Sequence, residues 1–342
     1  MRSNLVLVPV LVKNKTGETI FSLTADDFIL TDNGVPQSLR LELDSDSQPL
    51  ALAVVVQTGG QGALHLGDYH NLGAVLDAVI GNVPHQVAVI GFDSKPHLEQ
   101  EFTTDTDAAA KTIAGLEKGD ASAAILDALD FGIHLLRNQP AAYRRAVVLF
   151  SETVDRRSQT SFEDAIREID DTNTAIYSFA FSSMKTAVKH EASKVPRPGG
   201  SPYGDEPYQP GGCMSEAPNA DPDAHGNRGV QTLDCASDLL PPLRLARMAY
   251  IAASDALKQN VPESVARLTG GEYFAFSDGA TLVRHLITIS NDVPNYYVLS
   301  FRPKSPDPGL HALGVSVKQR PGLQLRARKA YWVDTEAPAD SK

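Results

Sequence analysis

Long apolar runs are missing from this sequence of 342 residues. No apolar stretch reaches the roughly 18 residues that a helix needs to cross a bilayer. The mean hydropathy of -0.19 and the charged fraction of 21% are ordinary for a soluble globular protein. We therefore predict that the chain has no membrane span.

An excess of basic residues is missing as well. The 31 Lys and Arg residues are outnumbered by 42 Asp and Glu residues, which gives a net charge of -11. The basic residues are scattered along the chain, whereas proteins that bind nucleic acid gather them in one patch or stripe. We expect no nucleic-acid partner.

Cysteine is almost absent. The sequence has two cysteines, Cys213 and Cys235, in a Pro- and Gly-rich segment without a CxxC spacing or a neighbouring His pair for zinc. We interpret them as one disulfide, which would place the protein in an oxidising compartment. The alternative is two free thiols in a cytosolic protein. The first residues lack the apolar core and cleavage site of a signal peptide, so we interpret the sequence as a mature domain.

Buried strands and amphipathic helices alternate from residue 48 to residue 292. Apolar runs typical of buried parallel strands lie at residues 51–56, 86–92, 144–150, 174–181 and 271–276. Helical patterns lie at residues 72–79, 107–116, 124–137, 162–170, 243–257, 262–268 and 281–289. The segment 97–102 follows its neighbour too closely for a crossover, which predicts an antiparallel edge strand. This alternation predicts an α/β domain with a doubly wound, mostly parallel sheet.

Both ends of the chain have the alternating pattern of β-strands instead. Residues 1–47 and 293–342 each contain too few short strands for an independent sandwich, so we expect them to meet in one small β-sandwich. The predicted domains are therefore 1–47, 48–292 and 293–342, the last with a tail. A Pro- and Gly-rich insert at residues 192–242 interrupts the α/β domain, because it has too few apolar residues to order itself.

Several stretches, taken in order along the chain, resemble one family. They are residues 52–60 (LAVVVQTGG), 119–129 and 147–152 (VVLFSE), flanked by 23–28 with 32–34 and by 296–299 with 327–331. The sequence resembles the von Willebrand factor type A domain, and within that family the VWFA-related acidobacterial secreted proteins. The resemblance implies a Rossmann-like fold, a secreted, periplasmic or cell-envelope location, and a role in adhesion or protein binding.

The resemblance also implies where a metal ion would be held. The family's metal-ion-dependent adhesion site uses a D-x-S-x-S loop, a Thr from a second loop and an Asp from a third loop. These residues bind Mg²⁺ or Mn²⁺ and leave one coordination position for a carboxylate of the partner. The corresponding positions here are Gln57, Gly59, Gln61, Ala123 and Glu152, with Ser122 beside the Thr position. All five differ from the pattern and only Glu152 keeps a charge, so we predict a degenerate site with no metal and no cofactor.

Other carboxylates near the same loops leave a metal-dependent alternative open. Asp93, Asp120 and Asp155 could rebuild a site for Mg²⁺ or Ca²⁺ and support metal-dependent adhesion. The structural interpretation is that Asp120 caps the next helix and that Asp93 starts a turn. In that interpretation, Asp155 pairs in solvent with Arg156 or Arg157.

Motifs of common enzymes are missing: the sequence has no phosphate-binding GxGxxG, no G-x-S-x-G and no HExxH. A hydrolase that uses His65 or His70 with Glu152 or Asp93 is the last of the alternatives. We therefore predict a non-catalytic module for adhesion or protein interaction, with a protein ligand as its partner. Its predicted binding surface, which we call the top loops, comprises residues 58–70, 119–122, 151–158 and 194–238.

Overall fold

The computed structural model describes residues 5–42, 48–69, 73–80, 83–181, 260–290, 296–303, 308–318 and 322–333. No helix among these residues is long and apolar enough to cross a bilayer. The predicted insert, the predicted helix at 243–257 and both cysteines, Cys213 and Cys235, lie outside the described residues. The disulfide therefore stays a prediction.

Strands and helices lie where the sequence predicts them, with small shifts at their ends. The strands are β1 (Val6–Lys13), β2 (Phe28–Asp32), β3 (Val35–Pro36), β4 (Leu39–Glu42), β5 (Leu50–Gln57), β6 (His85–Phe92), β7 (Pro96–Thr103), β8 (Arg144–Glu152), β9 (Ala175–Phe181), β10 (Tyr273–Phe276), β11 (Tyr297–Phe301), β12 (Gly309–Val317), β13 (Gln324–Ala327) and β14 (Ala330–Val333). The helices are α1 (Gly73–Ile80), α2 (Thr106–Ala114), α3 (Ile125–Arg137), α4 (Phe162–Thr172), α5 (Val261–Thr269) and α6 (Gly279–Ser290).

The central sheet has six strands in the order β10-β9-β8-β5-β6-β7. Neighbours from β10 to β6 are parallel, and β7 pairs antiparallel with β6 at the edge, as predicted. All eight residues of β5 are buried, which explains why its sequence is a nearly continuous apolar run instead of an alternating one. The prediction of an α/β fold with a mostly parallel sheet is therefore confirmed.

Helices cover both faces of the central sheet. Side chains of α1, α2 and α6 pack against one face, and those of α3, α4 and α5 pack against the other. Successive side chains of β5 point to opposite faces of the sheet. Val54 and Val56 pack in the core with α1, α2 and α6, and Ala53 and Val55 pack in the core with α3, α4 and α5. A sheet covered in this way leaves loops free where its strands end, and ligands of such folds bind outside the carboxyl ends of the strands.

Strands from both ends of the chain form two four-stranded antiparallel sheets. Their orders are β13-β1-β11-β4 and β14-β12-β2-β3. In the first sheet β1 lies between its partners, so that Val8 faces Leu299 and Val10 faces Ala327. Inward residues of both sheets, such as Val8 and Leu30, share one core. The predicted antiparallel sheets from the two ends are thus confirmed, while the domain boundaries near residues 47 and 292 stay a prediction.

A buried ion pair links this sandwich to the α/β region. Arg328, which follows β13, donates from Nη2 to Asp170 in α4 at 2.7 Å, and both side chains are 5% exposed. Arg328 also donates from Nη1 to Oδ1 of Asn173 at 2.9 Å and from Nε to the carbonyl of Ala330 at 2.7 Å. Burial raises the pKa of Asp170 to about 6, although Arg328 acts in the opposite direction. The pair therefore ties α4 to the chain segment between β13 and β14.

Candidate functional site

The candidate site lies where β5 and β8 end side by side. Gln57 is the last residue of β5 and Glu152 is the last residue of β8, and both side chains are buried. Gln57 Nε2 donates to Glu152 Oε1 at 3.2 Å, and Gln57 Oε1 accepts from the backbone N–H of Glu152 at 2.7 Å. Gln57 Nε2 also donates to the carbonyl of Gly59 at 3.0 Å. Both polar groups of the Gln57 amide are therefore satisfied inside the protein.

The charge of Glu152 is neutralised by an arginine from its own loop. Arg156 donates from Nε at 3.2 Å and from Nη2 at 3.1 Å to Glu152 Oε2. The carboxylate of Glu152 is 2% exposed, whereas the Arg156 side chain is 51% exposed. The prediction that Arg156 or Arg157 pairs with Asp155 is wrong for Arg156. Sequence reasoning missed the pairing of Arg156 with Glu152, although the four-residue spacing between them was a usable signal.

The loop after β8 is held in place by carboxylates that accept backbone N–H groups. Asp155 Oδ1 accepts from the backbone N–H of Ser158 at 3.2 Å and from its hydroxyl at 3.0 Å. Asp127, in α3, accepts from the N–H of Thr160 at 2.8 Å. The N–H of Arg156 donates to the carbonyl of Ala123 at 3.0 Å. These bonds fix the backbone that carries the guanidinium.

Asp93 and Asp120 lie next to each other in the neighbouring loops. Asp93 accepts from the N–H of Lys95 at 3.1 Å, which confirms its predicted turn, and from the N–H of Asp120 at 3.0 Å. Burial raises the pKa of Asp93, but these hydrogen bonds outweigh it and hold the pKa below its usual value. Asp120 Oδ1 accepts from the N–H of Ser122 at 2.8 Å, so it closes a turn. The prediction that Asp120 caps the next helix is wrong, because α3 begins after Ala124 without a side-chain cap.

The residues present do not fit a divalent cation. A Cβ added to Gly59 would collide with the carbonyl of Ser122 and lie 2.7 Å from the Asp93 Cβ, so no serine fits there without movement. Ala123 is fully buried and has no side-chain oxygen, whereas Gln61 is exposed. Mg²⁺ prefers six oxygen ligands in octahedral geometry. Within the described ranges, no three His, Cys, Asp or Glu side chains form a cluster that could hold a metal ion.

The histidine of the hydrolase alternative makes other contacts. His65 Nδ1 lies 2.9 Å from Asp68 Oδ2, and its ring stacks on Phe181 with a centroid distance of 4.4 Å. His65 has no hydrogen bond to Glu152 or Asp93 in the described part of the chain. His70 lies outside the described residues. The structure therefore does not join His65 to either carboxylate of the hydrolase alternative.

Comparison with known proteins gives one family match, which covers part of the chain. The family model of the von Willebrand factor type A domain matches residues 71–199. No curated protein sequence matches the chain.

Solved structures with a similar fold include bacterial proteins. They include the conserved hypothetical protein BatB from Bacteroides thetaiotaomicron, with 12% identity, a TM-score of 0.32, and coverage of 39% of this chain and 66% of that one. An aerotolerance-related membrane protein from Bacteroides fragilis has 12% identity, a TM-score of 0.39, and coverage of 71% and 99%. The type V pili tip protein Mfa5 from Porphyromonas gingivalis has 17% identity, a TM-score of 0.26, and coverage of 32% and 39%.

Domains of this family are in general modules for protein interaction, and most are not enzymes. The family match in residues 71–199 and the mostly parallel sheet covered by helices on both faces lead to one conclusion. The chain carries a von Willebrand factor type A domain.

Proposed function

We propose that this protein is a non-catalytic interaction or adhesion module of a secreted or cell-envelope protein. It binds a protein ligand through its top loops and needs no metal ion to do so. The observation that carries the proposal is the ion pair between Glu152 and Arg156, at the position where the family's pattern holds a cation.

The electrostatics of the site support metal independence. A buried carboxylate needs a counter-charge, because desolvation makes an unpaired charge costly. Arg156 supplies that charge from within the chain. A divalent ion would have to displace the guanidinium and would then face the amide group of Gln57, which donates to Glu152. Glu152 is thus already satisfied without a metal.

The exposed residues of the top loops support a binding role. Leu64, in the loop after β5, is 76% exposed, and Gln61 in the same loop and Arg157 in the loop after β8 are exposed as well. The loops that contain these residues follow the largely buried parallel strands β5 and β8, and binding residues are often found on loops that a rigid scaffold positions. An exposed apolar side chain of this kind can anchor a protein ligand.

Divalent ions are expected to leave the melting temperature of the protein unchanged. A ligand that binds the folded state at 100 times its Kd stabilises that state by about 2.7 kcal/mol, so real binding would move the melting temperature by several degrees. The measurement is thermal unfolding in EDTA and in millimolar Mg²⁺, Mn²⁺ or Ca²⁺. A clear shift that disappears in Glu152→Ala would instead favour metal-dependent adhesion, and one lost in Asp93→Asn or Asp120→Asn would favour a rebuilt carboxylate site.

Two matched variants test whether the top loops bind the ligand. Leu64→Asp places a carboxylate in the loop after β5, and Ala141→Asp places one on an exposed residue before β8, at the opposite edge of the sheet. We expect the immobilised protein to capture a ligand from secreted and envelope fractions in EDTA. Capture should be lost in Leu64→Asp and kept in Ala141→Asp. Equal capture by both variants would show that the ligand binds elsewhere.

A further inference from the structure

We propose that Arg156 is the group that binds a carboxylate of the protein ligand, in the role that a metal ion would otherwise have. The inference rests on the proposed function, and it names the chemistry of the partner: an Asp or Glu side chain or a C-terminal carboxylate. The inference is based on which N–H groups of the Arg156 guanidinium already donate to Glu152 and which do not.

Glu152 uses one edge of the Arg156 guanidinium and leaves another open. Both hydrogen bonds to Glu152 come from Nε and Nη2, which form the side edge of the group. Nη1 has no hydrogen bond to any described residue, and half of the side chain is exposed. Nη1 and the second N–H of Nη2 form the end edge, whose spacing fits two parallel hydrogen bonds to a carboxylate.

The guanidinium is held in place before any ligand arrives. Its backbone N–H is bonded to Ala123, and the carboxylate that orients it is itself fixed by Gln57. A long arginine side chain normally loses rotamer freedom when it binds, and that loss weakens binding. Here the ion pair has already removed part of that freedom. A carboxylate therefore binds Arg156 at a lower entropic cost than it would bind an unrestrained surface arginine.

The acidic residues around Arg156 do not take up its open edge. Asp120 and Asp155 each accept a backbone N–H within their own loops, and Asp127, in α3, accepts the backbone N–H of Thr160. Their charges are therefore directed to the backbone, and Glu152 is the carboxylate bonded to Arg156 among the described residues. Arg157 is exposed next to it and adds a second positive charge. An acidic group of the ligand fits this position, whereas a basic group does not.

Titration of the whole protein with a small probe tests the assignment without the natural ligand. The probe is N-acetyl-aspartate N-methylamide, and its neutral control is N-acetyl-asparagine N-methylamide, both in EDTA. The readout is the Nε–H signal of Arg156 in NMR spectra of the ¹⁵N-labelled chain, assigned by its loss in Arg156→Lys. We expect a saturable shift with the aspartate probe and none with the control. Inorganic phosphate, added in a separate titration, should shift the signal less.

Two variants separate this role from a structural one. Arg156→Lys keeps the charge beside Glu152 but cannot form two parallel hydrogen bonds to a carboxylate. Its affinity for the aspartate probe should therefore fall by about tenfold. Arg157→Gln removes the neighbouring charge but leaves the guanidinium of Arg156, so it should weaken binding of the probe less than Arg156→Lys does. No saturable shift, an equal shift with the neutral probe, or tighter binding of phosphate would overturn the assignment of a carboxylate site.

The titration and the capture experiment fail independently. If the aspartate probe binds at Arg156 but Leu64→Asp still captures the ligand, the proposed function is wrong and the anion site remains. If capture depends on the top loops but the probe does not bind, the ligand is held by other contacts and the role of Arg156 is refuted.

Discussion

Arg328→Met is expected to lower the free energy of unfolding by about 3–5 kcal/mol, because it leaves Asp170 buried without its counter-charge. The methionine keeps much of the side-chain volume, so the loss reports the ion pair more than the packing. The measurement is urea unfolding of the full chain. The control is Arg267→Met, which removes the half-exposed partner of Glu263 in α5 and should cost about 1 kcal/mol or less.

The loss of unfolding free energy in Arg328→Met, which we call the deficit, should also depend on pH in a defined direction. Burial raises the pKa of Asp170 from its ordinary 3.8 to about 6, so the folded state holds this proton more tightly than the unfolded chain does. Such a group favours folding below the unfolded pKa, and that contribution is lost as pH rises through the folded pKa. Without Arg328, which lowers the pKa, the folded pKa rises further. The deficit should therefore grow between about pH 5 and pH 8, and a deficit independent of pH would contradict the assignment.

Gly59→Ser is expected to lower the free energy of unfolding by about 1–3 kcal/mol, the usual cost of overpacking. The new Cβ would collide with backbone of the neighbouring loop, including the Asp120 carbonyl at 2.8 Å, and backbone cannot move aside as a flexible side chain can. Thermal unfolding measures the loss. Gly67→Ser is the matched control, because a Cβ there has no atom within 4 Å and should be tolerated.

The clash at Gly59 would also oppose any attempt to rebuild the family's metal site. Gly59→Ser is one of the substitutions that such a design requires, and the close approach of the second loop opposes it. Arg156 would have to be replaced as well, because its guanidinium bonds to the carboxylate that a metal needs. A variant with the five pattern residues restored and Arg156 kept is expected to bind no Mg²⁺. A stable, metal-binding variant of that kind would show that the loops rearrange more easily than their contacts suggest.

The sequence predicts the central sheet well because strands buried on both faces consist of continuous apolar runs, which are visible in the sequence. A continuous apolar run such as residues 51–56 is typical of a strand buried on both faces, because it is too short for a buried helix and has turns on both sides. The edge strand β7 was predictable for a different reason, since too few residues separate it from β6 for a crossover. Pairing of the two chain ends was predictable because each end has too few short strands to form a sandwich by itself.

The site was less predictable because its contacts depend on how loops turn. The positions Gln57, Ala123 and Glu152 were found by resemblance, but the role of Arg156 depends on a loop that folds back towards its own strand. Asp120 follows helix-capping rules in sequence, yet the loop continues past it and α3 starts later. The pairing of Asp170 with Arg328 joins distant parts of the chain, so no local sequence pattern predicts it.

The position of the two chain ends determines how the molecule would respond to stretching. β1 begins at Val6 and β14 ends at Val333, so a pulling force between these points acts directly on strands of the sandwich. Val10 faces Ala327 and Lys13 faces Gln324, so the pulled ends of β1 and β13 lie on the same side of their pairing. Their hydrogen bonds are then loaded one after another instead of together. Stretching is therefore expected to separate β1 from β13 by unzipping, which needs less force than shearing the same number of hydrogen bonds at once.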